Sequence, residues 1–165
     1  AGFALPLVFP AGAALHRTLT MDTRLATARL AEYFEKLTPD SVAQLPDLYD
    51  GQARFKDPFN EVQGLAEIER IFRHMYVALD GPHFVITGQL VDGPQAFLTW
   101  EFRFRFKRFD TQTLQVVRGG SHIVFNDQGL VSLHRDYWDA AEELYEKLPL
   151  IGAIMRLLKK KLRAR

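Results

Sequence analysis

Three places in the chain carry side chains that can move protons beside apolar neighbours. The first is "RFKDPFNEVQG", residues 54 to 64, where Asp57 precedes Pro58 at the end of a short apolar-polar alternation. Proline cannot continue a strand ladder and biases the preceding residue toward extended backbone, so Asp57 stands where a strand stops. A carboxylate against apolar walls has its charged form disfavoured and becomes a usable base, whereas the same residue in a turn simply accepts backbone N–H bonds. Both readings stand. The second is Tyr33, which falls in the apolar stripe of a helix; its buried hydroxyl requires a partner, either a backbone carbonyl or a reacting oxygen. The third is "SLHRDYWD", in which Ser132, His134, Asp136 and Trp138 share one face of a strand and Leu133, Arg135 and Tyr137 the other. An Asp two residues from a His on one face either tunes a proton carrier or closes a strand end as an ion pair. Alternation alone does not say which face is inward.

The elements that must hold these groups follow from hydrophobic period. From Asp22 to Leu37, Leu25, Leu30, Tyr33, Phe34 and Leu37 recur at helical spacing. "TPDSVAQLPDLY" predicts a shorter second helix, with Thr38 or Asp40 as N-cap and Pro46 near its end. "QARFKD" predicts a short strand leading to Asp57. After Gly64, "LAEIERIFRHMYVAL" is a third helix with a broad stripe through Leu65, Ile68, Ile71, Phe72, Met75, Tyr76 and Leu79. The period then changes to two. "HFVITGQLVD", "AFLTWEFRFRFKRF", "LQVVRGGSHIVF" and "LVSLHRDYW" predict four antiparallel strands separated by turns at "DTQT" and "NDQG". In the second of these Leu98, Trp100, Phe102, Phe104 and Phe106 form a face to be buried, and Thr99, Glu101, Arg103, Arg105 and Lys107 a wet one. Three helices followed by a four-strand meander is an α+β layout.

Composition narrows the function classes. The 165 residues suit one domain, and 47% apolar content with thirteen Phe is enough for a large core or an apolar cavity. Twenty-one basic residues against twenty acidic ones give no global field that would draw nucleic acid. The absence of Cys excludes disulfides and thiolate chemistry and fits a cytoplasmic protein, and the five His show no ligand spacing, so no metal or other cofactor is expected. Residues 1–20 are apolar, Pro-interrupted and uncharged before His16; they read as an N-terminal extension ahead of a start at Met21. The domain proper spans 21–139. The tail, 140–165, is helical with a break at Pro149 and amphipathic, with Ile154, Leu157, Leu158 and Leu162 against a basic run; six of the last ten residues are Arg or Lys. That pattern suits either a helix packed on its own domain or a second subunit, or contact with a membrane surface or acidic partner.

From Asp22 to Asp139 the order of elements resembles the nuclear transport factor 2-like superfamily, in its SnoaL-like and ketosteroid isomerase-like branch. The resemblance implies a curved antiparallel sheet wrapped by helices into a cone with an apolar pocket. "LYDGQARFKDPFNEVQGLAEIERIF" is similar to the isomerase stretch carrying the general base in an "EDP" motif, which places Asp57 on that base. Ungapped counting then puts Tyr33 on the oxyanion-hole tyrosine, and the neutral oxyanion-hole Asp of the isomerases falls on Ser121 in "GGSHIVFNDQGLVSL". "LHRDYWD" resembles the last strand of the limonene epoxide hydrolase branch, whose Asp, here Asp136, helps to activate water. The Arg-x-Asp motif of that branch falls on Gly119, Gly120 and Ser121.

Together these imply a pocket walled by Trp100, Phe102, Phe104, Val117 and Ile123, with Phe72 and Trp138, that takes a hydrophobic small molecule. As an isomerase-type enzyme the chain would use Asp57 as base, Tyr33 and Ser121 as donors to an enolate, and His134 or Asp136 at the far end. As a binding module it would hold a ligand without chemistry and form a homodimer through the outer sheet face. A superfamily that hosts both leaves these alternatives open.

Overall fold

The computed structural model describes residues 22–108, 110–143 and 151–162; the N-terminal extension, the Met21 start and the Pro149 break lie outside them. Helix α1, Thr23–Glu35, begins at Asp22, whose carboxylate accepts the Leu25 N–H at 3.1 Å. Its 3.6-residue period turns Thr23, Ala26, Thr27, Leu30, Ala31 and Phe34 inward. Leu25, expected in the stripe, is exposed because it falls off this arc.

The expected second helix is a 3-10 turn, Ser41–Asp47, that accommodates Pro46 and drives Val42 and Leu45 into the core. Its start is tied by Thr38, which accepts the Ser41 N–H at 3.1 Å while its own N–H donates to Ser41 Oγ at 2.8 Å. Asp40 makes no such bond. Helix α2, Leu65–Ala78, starts after Gly64, whose φ of 96° suits glycine, and buries Ile68 and Phe72. Each such fully buried side chain contributes about 1.5–3 kcal/mol relative to exposure.

Six strands, two more than the four-strand meander expected, form one mixed sheet. They are β1 (Tyr49–Lys56), β2 (Glu61–Gln63), β3 (Leu79–Asp92), β4 (Gln95–Phe106), β5 (Gln115–Phe125) and β6 (Val131–Trp138), in the order β2-β1-β6-β5-β4-β3. All neighbours are antiparallel except β1 and β6, which pair in parallel through Phe55 with His134. Asp57 to Asn60 is the turn between β1 and β2. Strand β3 starts four residues earlier than "HFVITGQLVD", absorbing Asp80-Gly81-Pro82 as a register shift before His83, with Gly81 at φ 55°.

The alternation of β4 holds. Leu98, Trp100 and Phe104 are buried under α1 and α2, and on the outer face Glu101 bridges Arg103 at 2.7 Å and Arg118 at 3.3 Å. Beyond β6 come α3, Ala140–Glu143, and α4, Ile151–Leu162, linked by a Lys159–Glu142 ion pair at 2.7 Å. No helix among the described residues is long and apolar enough to cross a membrane.

Candidate active site

On β6 the face left undecided by alternation turns inward at His134 and Asp136, while Arg135 and Tyr137 are exposed, the guanidinium 4.8 Å over the Tyr137 ring. His134 is almost wholly buried, its ring edge-on to Phe34 and Phe55. Its Nδ1 lies 2.5 Å from the Tyr49 hydroxyl and its Nε2 2.8 Å from Asp136 Oδ1. A carboxylate only accepts, so Nε2 carries the hydrogen, and in the neutral ring Nδ1 is then the acceptor for the Tyr49 O–H. Tyr49 is 1% exposed, and burial followed by the nearby Asp136 charge pushes its phenol well above the ordinary value, so the proton stays on Tyr49.

From β5, Ser121 Oγ donates to the same Asp136 Oδ1 at 2.5 Å and accepts the Trp100 indole N–H at 2.8 Å. Trp100 reaches Ser121 because its ring lies over Gly119, its cross-strand partner, where any Cβ would collide with the indole. Two donor chains, Tyr49 to His134 and Trp100 to Ser121, therefore converge on one carboxylate oxygen. Among the described residues Asp136 Oδ2 receives no hydrogen bond, and the Asp136 side chain keeps 17% of its surface open.

Asp136 opens onto an apolar cavity of about 320 Å³ between α2 and the inner faces of β3, β4 and β5. Its walls are mainly aromatic: Phe55, Phe72, Phe84, Trp100, Phe102 and Phe104, with Phe59 and Trp138 in edge contact at 5.4 Å. Asp57, Asn60 and His74 are the other polar residues on the wall. An outer depression lined by Lys56, Asp57, Arg135 and Asp136 adjoins it.

Residues 30–134 match the family described as SnoaL-like domain. The chain belongs to the SnoaL-like domain family. No curated protein matches it in sequence. Solved structures share the fold at low identity. An LEH-like epoxide hydrolase of M. tuberculosis is 14% identical with a TM-score of 0.60, over 86% of this chain and 98% of that one. A putative SnoaL-like polyketide cyclase of Jannaschia sp. is 12% identical with a TM-score of 0.61, over 73% and 87%. The epoxide hydrolase/cyclase-like enzyme of pyran ring formation in the polyether salinomycin is 16% identical with a TM-score of 0.62, over 72% and 93%.

Within this SnoaL-like domain the residues picked from sequence separate into two groups. Ser121, His134 and Asp136 come together, and Phe72, Trp100, Phe102, Phe104, Val117 and Trp138 line the cavity. Ile123, on the same face of β5, is fully buried in the core rather than on the cavity wall.

Tyr33 and Asp57, expected to face one space, do not. The Tyr33 hydroxyl donates to the Ser41 carbonyl at 3.0 Å, beside a separate depression lined by Arg29, Lys36 and Asp47; burial, then Tyr76, raises its phenol. The 3-10 turn that begins at Ser41 brings that carbonyl to the Tyr33 hydroxyl and holds it away from the aromatic cavity. Asp57 does reach the cavity wall, but its carboxylate is committed to its own turn. Oδ1 accepts the N–H of Phe59 at 2.7 Å and of Asn60 at 2.6 Å, and the Asn60 amide spans both oxygens at 3.1 and 2.9 Å.

Tyr49 is the member that sequence reading missed. The run "TPDSVAQLPDLY" reads as a helix that ends on it, yet Tyr49, Ala53 and Phe55 are buried on one face of β1, and extending the "QARFKD" alternation back past the exposed Gly51 finds it.

Proposed function

We propose that this SnoaL-like domain is a proton-transfer enzyme acting on a hydrophobic small molecule, with Asp136 as its general base. The observation that carries the reading is the one-sided bonding of Asp136: both donor chains end on Oδ1, and Oδ2 is left for a substrate proton. Donors fixed before the reaction hold the carboxylate in one rotamer at the edge of an apolar aromatic cavity, where such preorganisation is effective. Oδ2 takes a proton from a carbon next to a carbonyl, and the carboxylic acid so formed returns it to a second carbon, the isomerase-type outcome. His74, on the helix wall, offers a ring N–H to the enolate oxygen. Gly119 and Ser121 stand where the epoxide hydrolase branch carries the Arg and the Asp of its Arg-x-Asp motif, which weighs against ring opening of an epoxide.

The test is exchange of acidic protons of hydrophobic ketones for solvent deuterium. Asp136→Asn is expected to lower the rate by about 10²–10⁴-fold while ligand affinity and fold are retained. Full activity in Asp136→Asn, or loss confined to Asp57→Asn, overturns the assignment.

A second reading, a binding module that dimerises through its outer sheet face, is favoured by one observation. Tyr33 and Asp57, the donor and base that the isomerase resemblance implies, both serve local backbone groups. Stoichiometric ligand binding without exchange in the unaltered protein selects it.

A further inference from the structure

Helix α4 presents Ile154, Leu157 and Leu158 at 60%, 57% and 47% exposure, three of the more open large apolar side chains among the described residues. At 100° per residue these fall on one arc with Met155, a little under half the circumference. The opposite arc carries Lys159 and Lys160, Lys161 falls within the apolar arc between Leu157 and Ile154, and no acidic residue occurs from Ile151 to Leu162. Lys159 already pairs with Glu142 of α3, which ties the helix to the end of the domain without covering its apolar side.

From these features we infer that α4 docks on an anionic lipid surface, lying in the headgroup plane with its leucine arc in the acyl boundary. The charge pattern selects this occupant. A second copy would bring an equally cationic helix, whereas an anionic bilayer complements the Lys160 and Lys161 ammonium groups and admits the leucines beside them. Lys161, between Leu157 and Ile154 on that arc, can extend its methylene stem along the acyl boundary and keep its charge at the headgroups. The inference does not depend on the chemistry assigned to Asp136.

The test uses the full chain and co-sedimentation with vesicles of phosphatidylcholine alone or with 30% phosphatidylglycerol. Binding to the anionic vesicles only, weakened in 0.5 M NaCl, is expected. Lys160→Gln with Lys161→Gln should weaken it roughly twentyfold, given about fivefold per basic residue near such a surface. Leu157→Glu with Leu158→Glu should abolish it, and circular dichroism of both variants should match the unaltered chain. Equal binding to neutral and anionic vesicles overturns the proposal. So does a failure to bind either, or a concentration-dependent dimer that Leu157→Glu dissociates, which would make the face a self-interface.

Discussion

The hydroxyl hydrogen of Tyr49 decides the state of everything beyond it. By donating to His134 Nδ1 it leaves the hydrogen of the neutral ring on Nε2, where it fixes Asp136. Removing it in Tyr49→Phe leaves Nδ1 without its donor and the ring oriented through Nε2 alone, so we expect about a tenfold loss of kcat in the exchange assay with little change in KM. The same phenol gives a pH signature. Because its folded value is raised above the ordinary 10.0, its contribution is fully present below pH 10 and declines as pH rises beyond it. Urea unfolding between pH 8 and 12 should show stability falling above pH 10, and a shallower fall in Tyr49→Phe. Asp57 is expected to behave differently. Asp57→Ala removes bonds internal to a turn and should cost about 0.5–1.5 kcal/mol of stability, with kcat little changed. Sequence alone exposed the chemistry of Asp57 and Asp136 but not the choice between them, because which amides fill a carboxylate depends on the conformation of a four-residue turn.

At the level of elements, β4 and β5 act as one device. Trp100 lies across Gly119, and the indole N–H reaches Ser121 only because no side chain stands between them. Gly119→Val should therefore displace the ring, cost about 1–3 kcal/mol by overpacking, and redshift the Trp emission, all readable by urea titration and fluorescence. Period was enough to find α1, α2 and the cores of β3 to β6, since each buries one face. It was not enough for β2, whose three residues make less than two alternations, or for the start of β1. There the run through Leu45, Pro46 and Leu48 to Tyr49 looks like a helix tail until the 3-10 turn ends at Asp47. The wall of the cavity was readable for the same reason as the strands: Trp100, Phe102 and Phe104 alternate without interruption. Ile123 obeys the same alternation but lies deeper, and distance along a strand from the open end is not encoded in a period of two.

For the whole molecule, the cavity is a gap that the aromatic side chains enclose without filling, at about 320 Å³. Well-packed interiors leave few such spaces, so an apolar dye such as 8-anilinonaphthalene-1-sulfonate should bind with a single-site isotherm. Val117→Phe, which projects a ring into the space, should abolish that isotherm while leaving the far-ultraviolet circular dichroism intact. The strand order, by contrast, was not legible. A meander of hairpins is what local turns suggest, whereas the partner of β1 lies some eighty positions away, and nothing in either segment by itself names the other.

That long-range pairing has a consequence for how the protein comes into being. The phenol of Tyr49 emerges from the ribosome well before the imidazole of His134, so the Asp136 carboxylate cannot be oriented until synthesis has passed Trp138. A nascent chain arrested before that point holds a three-strand hairpin array with an open edge and an unpaired long-range face on β1, a species that invites chaperone capture until the final strand slots between β1 and β5.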